Sequence, residues 1–268
     1  MTVRTRTCVA IAAVLLLSLP AQGLAQGRGG GRGGPPPTAQ AAAPADFTGT
    51  WVAVISEDWR WRMITPPPGD FSNIPINAEG QRVGETWDPT AVEAAGEACR
   101  AYAAPAIMRE PTRLRIEWAD ENTLRMETDA GMQTRLFHFN GEPPPGDEPL
   151  DWQGYSAARW EGGPGRGGAG GIGLGVARTA AQDGRALVAT TTRVRPGYLR
   201  KNGVPFSGNV VVQEYFNRFS VPFDDTEWFF VTTVVVDPQY LNQPWVTTSH
   251  FKREPDDANW NPQPCRAR

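Results

Sequence analysis

Histidine, lysine and cysteine are nearly missing from this chain. Of 268 residues, two are His (His138 and His250), two are Lys (Lys201 and Lys252) and three are Cys. No HxH or HExxH spacing is present, which excludes a histidine-built metal centre, and nothing in the sequence calls for a cofactor. A basic balance is missing too. The chain has 26 basic and 29 acidic residues, and loss of Arg4 and Arg6 with a cleaved leader gives 24 − 29 = −5. That removes the electrostatic footprint of a nucleic-acid partner. No apolar run after the leader is long enough to cross a bilayer as a helix, so no integral membrane segment is expected after cleavage.

The leader itself is explicit. Arg4 and Arg6 form a basic start, Cys8 to Leu19 an apolar run, and Gly23-Leu24-Ala25 a small-x-small site. This is a signal peptide over residues 1–25, and the expected location is periplasmic or secreted. Cleavage leaves Cys99 and Cys265, an even pair in an oxidising compartment, which reads as a disulfide. Residues 26–45, rich in Gly and Arg and then in Pro and Ala, lack any apolar period and are expected to be a disordered linker. One domain should fill 46–268, interrupted by a flexible Gly-rich insertion over 162–183. The Gly165-Arg166-Gly167-Gly168-Ala169-Gly170 match to G-x-G-x-x-G lies inside that insertion, with no following helix to meet a phosphate.

The rest of the chain is rich in period-two patterns. Leu114, Ile116 and Trp118 alternate with Arg113, Arg115 and Glu117, and Leu124 and Met126 alternate with Arg125 and Glu127. With Met132–Phe139 they predict a three-strand meander. Gly49–Ile55, Gly154–Glu161, Ala186–Val194, Asn209–Ser220, Glu227–Val236 and Trp245–Arg253 are further strands, rich in the residues strands prefer. Asn77–Trp87 and Pro89–Ala101 predict two short helices near the N-terminus, the second capped by Asp88. The expected fold is mostly β: an antiparallel, lipocalin-like barrel of about nine strands, with an interior able to hold one small ligand. The Gly49-Thr50-Trp51 opening resembles the first strand of lipocalin-type barrels.

Candidate site residues follow from that fold. Trp59-Arg60-Trp61-Arg62, read as a strand, puts two tryptophans on one face and two arginines on the other. Trp59, Arg60 and Trp61 are therefore candidate ligand contacts. The loop from Arg195 to Ser207 joins two strong strands, and Arg195, Tyr198, Lys201 and Asn202 are expected to form a polar rim at the barrel mouth. If His138 and His250 both point inward, they could trade a proton near neutral pH. Glu214 shares a strand face with apolar neighbours and needs an Arg partner or a perturbed carboxyl. Gly154-Tyr155-Ser156-Ala157-Ala158 comes close to a nucleophile elbow, but a serine at the start of an antiparallel strand lacks the strained turn that chemistry needs.

Several runs together resemble a family of exported bacterial β-rich proteins. They are Trp160-Glu161-Gly162, Arg195-Pro196-Gly197-Tyr198-Leu199-Arg200-Lys201-Asn202-Gly203, Glu214-Tyr215-Phe216-x-Arg218 and Asp237-Pro238-x-Tyr240. The likeness covers most of Phe47 to Cys265. It implies export and a β-rich domain, and it brings no catalytic residues. Three functions stay open: small-molecule binding in an aromatic interior, an enzyme acting on a small polar or sugar-like substrate through His138 and His250, and a cell-envelope interaction protein.

Overall fold

The computed structural model describes residues 35–141, 143–147, 149–161, 186–221 and 223–268. The expected signal peptide, the first part of the linker and the Gly-rich insertion lie outside the described residues. The elements in chain order begin with β1 (Gly49–Val54), α1 (Trp59–Arg62), α2 (Ala78–Gly84), α3 (Pro89–Ala94), a 3-10 turn (Ala98–Tyr102) and α4 (Ala104–Ile107). Then follow β2 (Arg113–Asp120), β3 (Thr123–Thr128), β4 (Thr134–His138), β5 (Tyr155–Glu161) and β6 (Ala186–Thr192). The last are β7 (Gly197–Arg200), β8 (Val204–Phe206), β9 (Val211–Ser220), β10 (Glu227–Val236) and β11 (Trp245–Arg253).

Nine strands close a barrel in the order β1-β11-β10-β9-β6-β5-β4-β3-β2, and β7-β8 form a separate hairpin. The expected barrel is therefore present, with one correction: it is mixed. β4 and β5 pair in parallel, through Phe137 with Ser156 and His138 with Ala157. A parallel neighbour needs a crossover of a dozen or more residues. The stretch from Phe139 to Gly154 supplies one.

The period-two strands bury the faces their patterns dictate. Trp51, Phe229 and Phe251 have no exposed surface, and Phe47, Phe137 and Phe216 have almost none. Their rings pack on one another, with centroids 4.8 Å apart for Phe229–Phe251, 4.9 Å for Trp51–Phe229 and 5.6 Å for Phe137–Phe216. A ring with no accessible surface has no water-sized space beside it. The aromatic interior expected as a ligand chamber is thus a packed core at these positions. The Gly-x-Trp opening has a local reason: a Cβ at Gly49 would stand 2.8 Å from Arg253 Nη2. That guanidinium reaches across Gly49 to lie 5.2 Å from the Trp51 ring centre.

Beside the aromatic layer lies a buried ion pair. Arg135 of β4 reaches Glu214 of β9 with Nη2–Oε2 at 2.6 Å and Nη1–Oε1 at 3.2 Å. The strands between them add hydroxyls: Arg135 Nη2 donates to Thr191 Oγ1 at 3.0 Å and to Ser156 Oγ at 3.4 Å. Glu214 therefore has the Arg partner that its apolar strand face demanded.

The helical segment between β1 and β2 and the hairpin between β6 and β9 both leave and rejoin the barrel at the same end. The Asn77 side chain caps α2 by accepting from Gly80 N, and Asp88 caps α3 by accepting from Thr90 N. Both expected helices are present but shorter than read. Trp59–Arg62 is a helical turn and not a strand, because Asp58 takes a positive φ of 49° and turns the chain out of β1. Cys99 and Cys265 form the expected disulfide, tying the 3-10 turn to the C-terminal tail across a separation of 166 residues. A loop of that length contributes about 5 kcal/mol in the chain-entropy account. From Thr38 onward the linker is seated on the barrel: Ala39 O accepts from Trp160 Nε1 at 2.8 Å, and Ala39 N donates to Asn122 Oδ1 at 2.9 Å.

Glu214→Ala leaves a buried guanidinium unpaired and should cost about 3–5 kcal/mol in urea unfolding. The double change Arg135→Met with Glu214→Leu should cost far less than Glu214→Ala alone. A double variant as unstable as the sum of the single ones would contradict this view of the pair.

Candidate functional site

The two histidines do not meet. On β4 the inward residues are Arg135 and Phe137, so His138 faces outward, where its ring stacks on Tyr155 at 4.8 Å and 6°. On β11 the inward residues are Ser249 and Phe251, and His250 also faces outward. In the barrel order β4 and β11 are separated by other strands on either path. His250 Nδ1 contacts the Glu57 carboxylate and lies 3.2 Å from Ser56 Oγ. Acid and hydroxyl share one ring nitrogen, whereas a triad needs them on opposite ones. Ser156, of the elbow-like run, is sealed in the barrel against Thr191 Oγ1 at 2.7 Å. An acid–base pair of His138 and His250 therefore does not form.

The stretch expected as a rim is the β7-β8 hairpin, and most of it is buried. Leu199, Val204 and Phe206 are core residues. Their apolar pattern draws the segment inward, and its polar groups take protein partners. Asn202 has no exposed surface and donates to Pro67 O at 3.1 Å and Asp70 O at 2.8 Å. Arg195 pairs with Glu97 at 2.7 Å and lies over Trp152, and Tyr198 OH accepts from Arg100 Nη1 at 3.1 Å. Gly203 makes the turn possible: its φ is +87°, and a Cβ there would stand 2.2 Å from Trp87 Cβ.

What this packing creates is a cationic cleft of about 190 Å³, lined by α1, the end of α4 and β7. Of its five charged lining residues, four are cations: Arg62, Arg109, Arg200 and Lys201, with Glu110 the fifth. Arg62 Nε donates to Arg109 O at 2.9 Å and Nη1 reaches Glu57 at 3.4 Å, but Nη2 is buried without a partner. Arg109 Nη1 donates to Asp58 Oδ2 at 3.0 Å, with the guanidinium 4.9 Å from the Trp245 ring centre. Arg200 Nη2 donates to Ser72 O at 2.7 Å. Lys201 Nζ donates to Glu110 Oε2 at 2.5 Å and lies over the Tyr102 ring. Trp61, which also lines the cleft, buries an Nε1–H without a partner.

The electrostatics record the crowding. Burial, and then the neighbouring Arg109 charge, push Arg62 and Arg200 down to about 10. Burial also lowers Arg109. For Lys201 burial opposes the charge, but Glu110 and Tyr102 outweigh it and the pKa rises. All four stay charged at neutral pH. A buried N–H left unbonded costs about 1–3 kcal/mol, and more on a charged group. An oxyanion in the cleft would relieve the repulsion among the guanidiniums. No histidine or cysteine lines the cleft. Among the described residues no three His, Cys, Asp or Glu side chains gather to hold a metal.

Of the residues singled out in the sequence, Trp61 and Lys201 line the cleft. Trp59 and Arg60 sit exposed on α1 just outside its lining, while Arg195, Tyr198 and Asn202 hold the hairpin in place. Arg109 belongs to no motif. Arg62 and Arg200 stood inside quoted runs, and the crowding of arginine there was the one available signal.

A second groove of about 450 Å³ opens on the outer wall beside the parallel seam, lined by residues such as Leu136, His138, Leu150 and Tyr155. Burial is the main cause of a lowered His138 pKa, opposed by Asp120. The unfolded chain then takes up this proton first as pH falls. Stability is complete above the ordinary value near 6.5 and declines as pH drops through it towards the folded value. His138→Asn should flatten the acid-side slope of unfolding stability below about pH 6.5. An unchanged slope would mean that His138 titrates as in the unfolded chain.

Comparison with family models, curated proteins and solved structures yields no match. The geometry of the cleft alone carries the functional reading.

Proposed function

We propose that this chain is an exported binding protein that holds a small organic oxyanion, a carboxylate or a phosphate, in the cationic cleft. One observation carries the reading: four cations, Arg62, Arg109, Arg200 and Lys201, line one cleft with a single carboxylate, Glu110, among them. Unfilled, that arrangement is costly; with an anion it becomes complementary. The chain's net charge of −3 makes the cationic cleft a local exception, able to draw an anion to one place. Export is supported by the leader-like start of the sequence and by the Cys99–Cys265 disulfide, which suits an oxidising compartment. Binding is favoured over catalysis because the one carboxylate in the lining, Glu110, is engaged by Lys201.

Phosphate and acetate, titrated separately into the purified protein, should raise its unfolding midpoint and register as binding heat. At a hundredfold excess over Kd the stabilisation should reach about 2.7 kcal/mol. Arg62→Gln, and independently Arg200→Gln, should weaken binding about tenfold or more, the loss of a charge-assisted hydrogen bond. Anions that neither bind nor stabilise the unaltered protein would overturn the proposal, as would full affinity in both variants.

A further inference from the structure

We infer that the ligand is amphiphilic: its oxyanion head enters the cleft and an apolar tail of several carbons lies across Met63 and Trp59. This rests on the anion-binding reading and extends it to the class of molecule.

The first ground is that α1 is inside out. A surface helix ordinarily turns its apolar residues inward and its charges to water. Here Arg62 is 8% exposed, while Trp59 is 62%, Met63 57% and Ile64 64% exposed. Arg and Trp have changed places relative to the usual order of burial. Met63 N bonds Trp59 O at 2.9 Å, so these two side chains are one turn apart on one face of α1. Met63 itself lines the cleft, which makes the apolar strip continuous with the cationic floor.

The second ground is size. Pockets that enclose a drug-sized molecule run from about 300 to 1,000 Å³. The cleft, at about 190 Å³, takes a head group and little more. Whatever the head carries must leave through the opening, where Met63 lines the cleft and Trp59 lies one turn away on the same face. The strip supplies apolar surface that water otherwise covers at a cost. The floor supplies charge, so neither a bare anion nor a neutral hydrocarbon uses both.

Calorimetric titration with straight-chain carboxylates from acetate to decanoate, each below its micelle concentration, tests this, with inorganic phosphate and octanol alongside. Affinity should rise about two- to fourfold per added methylene. Octanol should bind at least tenfold more weakly than octanoate. The double change Trp59→Ser with Met63→Ser, both at exposed positions, should flatten the dependence on chain length, with folding checked by the unfolding midpoint. Equal affinities for acetate, phosphate and decanoate would remove the tail and leave the anion reading intact. Absence of binding by every anion would remove both. A slope unchanged in the double variant would place the tail elsewhere and overturn the inference, as would octanol binding as tightly as octanoate. Binding confined to anionic phospholipid vesicles, with none to the monomeric carboxylates, would also overturn it.

Discussion

The burial of the Asn202 amide fixes much of what is distinctive here. A buried amide N–H must find its acceptors in the protein, and Asn202 Nδ2 finds them on Pro67 O and Asp70 O, while Oδ1 is left without a partner. Those two bonds pin the turn of the β7-β8 hairpin to the loop that follows α1. Gly203 permits the approach by giving up its Cβ to Trp87. With the turn pinned, Arg200 and Lys201 are held in one cleft lining with Arg62, Arg109 and Glu110. The cationic cleft follows from packing an apolar hairpin whose polar residues must go somewhere.

The barrel explains why the cleft lies at its end. Aromatic rings fill one layer of the interior, and the Arg135–Glu214 pair with its hydroxyls occupies the next. A buried pair is weak evidence for stability, since similar packing by apolar residues would serve as well. It does join β4 to β9 across β5 and β6. These layers of the interior are used by the fold, and the cleft forms where the helical segment and the hairpin cover the barrel end.

Much of the barrel was legible because period-two alternation is enforced strand by strand. Arg113–Asp120, Thr123–Thr128, Glu227–Val236 and Trp245–Arg253 each bury the face their apolar residues mark. The Asp88 cap and the Cys99–Cys265 pair were legible for similarly local or arithmetic reasons. The parallel pairing of β4 with β5 was not, because side-chain alternation is the same for either direction. Nor was the inversion of α1: Trp-Arg-Trp-Arg satisfies a two-residue period, and Asp58 in the left-handed region decides otherwise. The rim was misplaced because turn dipeptides mark where a chain bends and do not say whether the bend faces water. The cleft joins residues 62, 109 and 200, contributed by three separate segments, so no spacing could announce it.

The central claim is that four cations converge on one accessible space that accepts an oxyanion. Crystals soaked in selenate give the most direct test, since the selenium scatters anomalously. The account predicts a peak inside the cleft, with selenate oxygens within about 3.2 Å of a side-chain nitrogen of Arg200 or Lys201. Selenate found on exposed arginines such as Arg60 and Arg195, with none in the cleft, would contradict it.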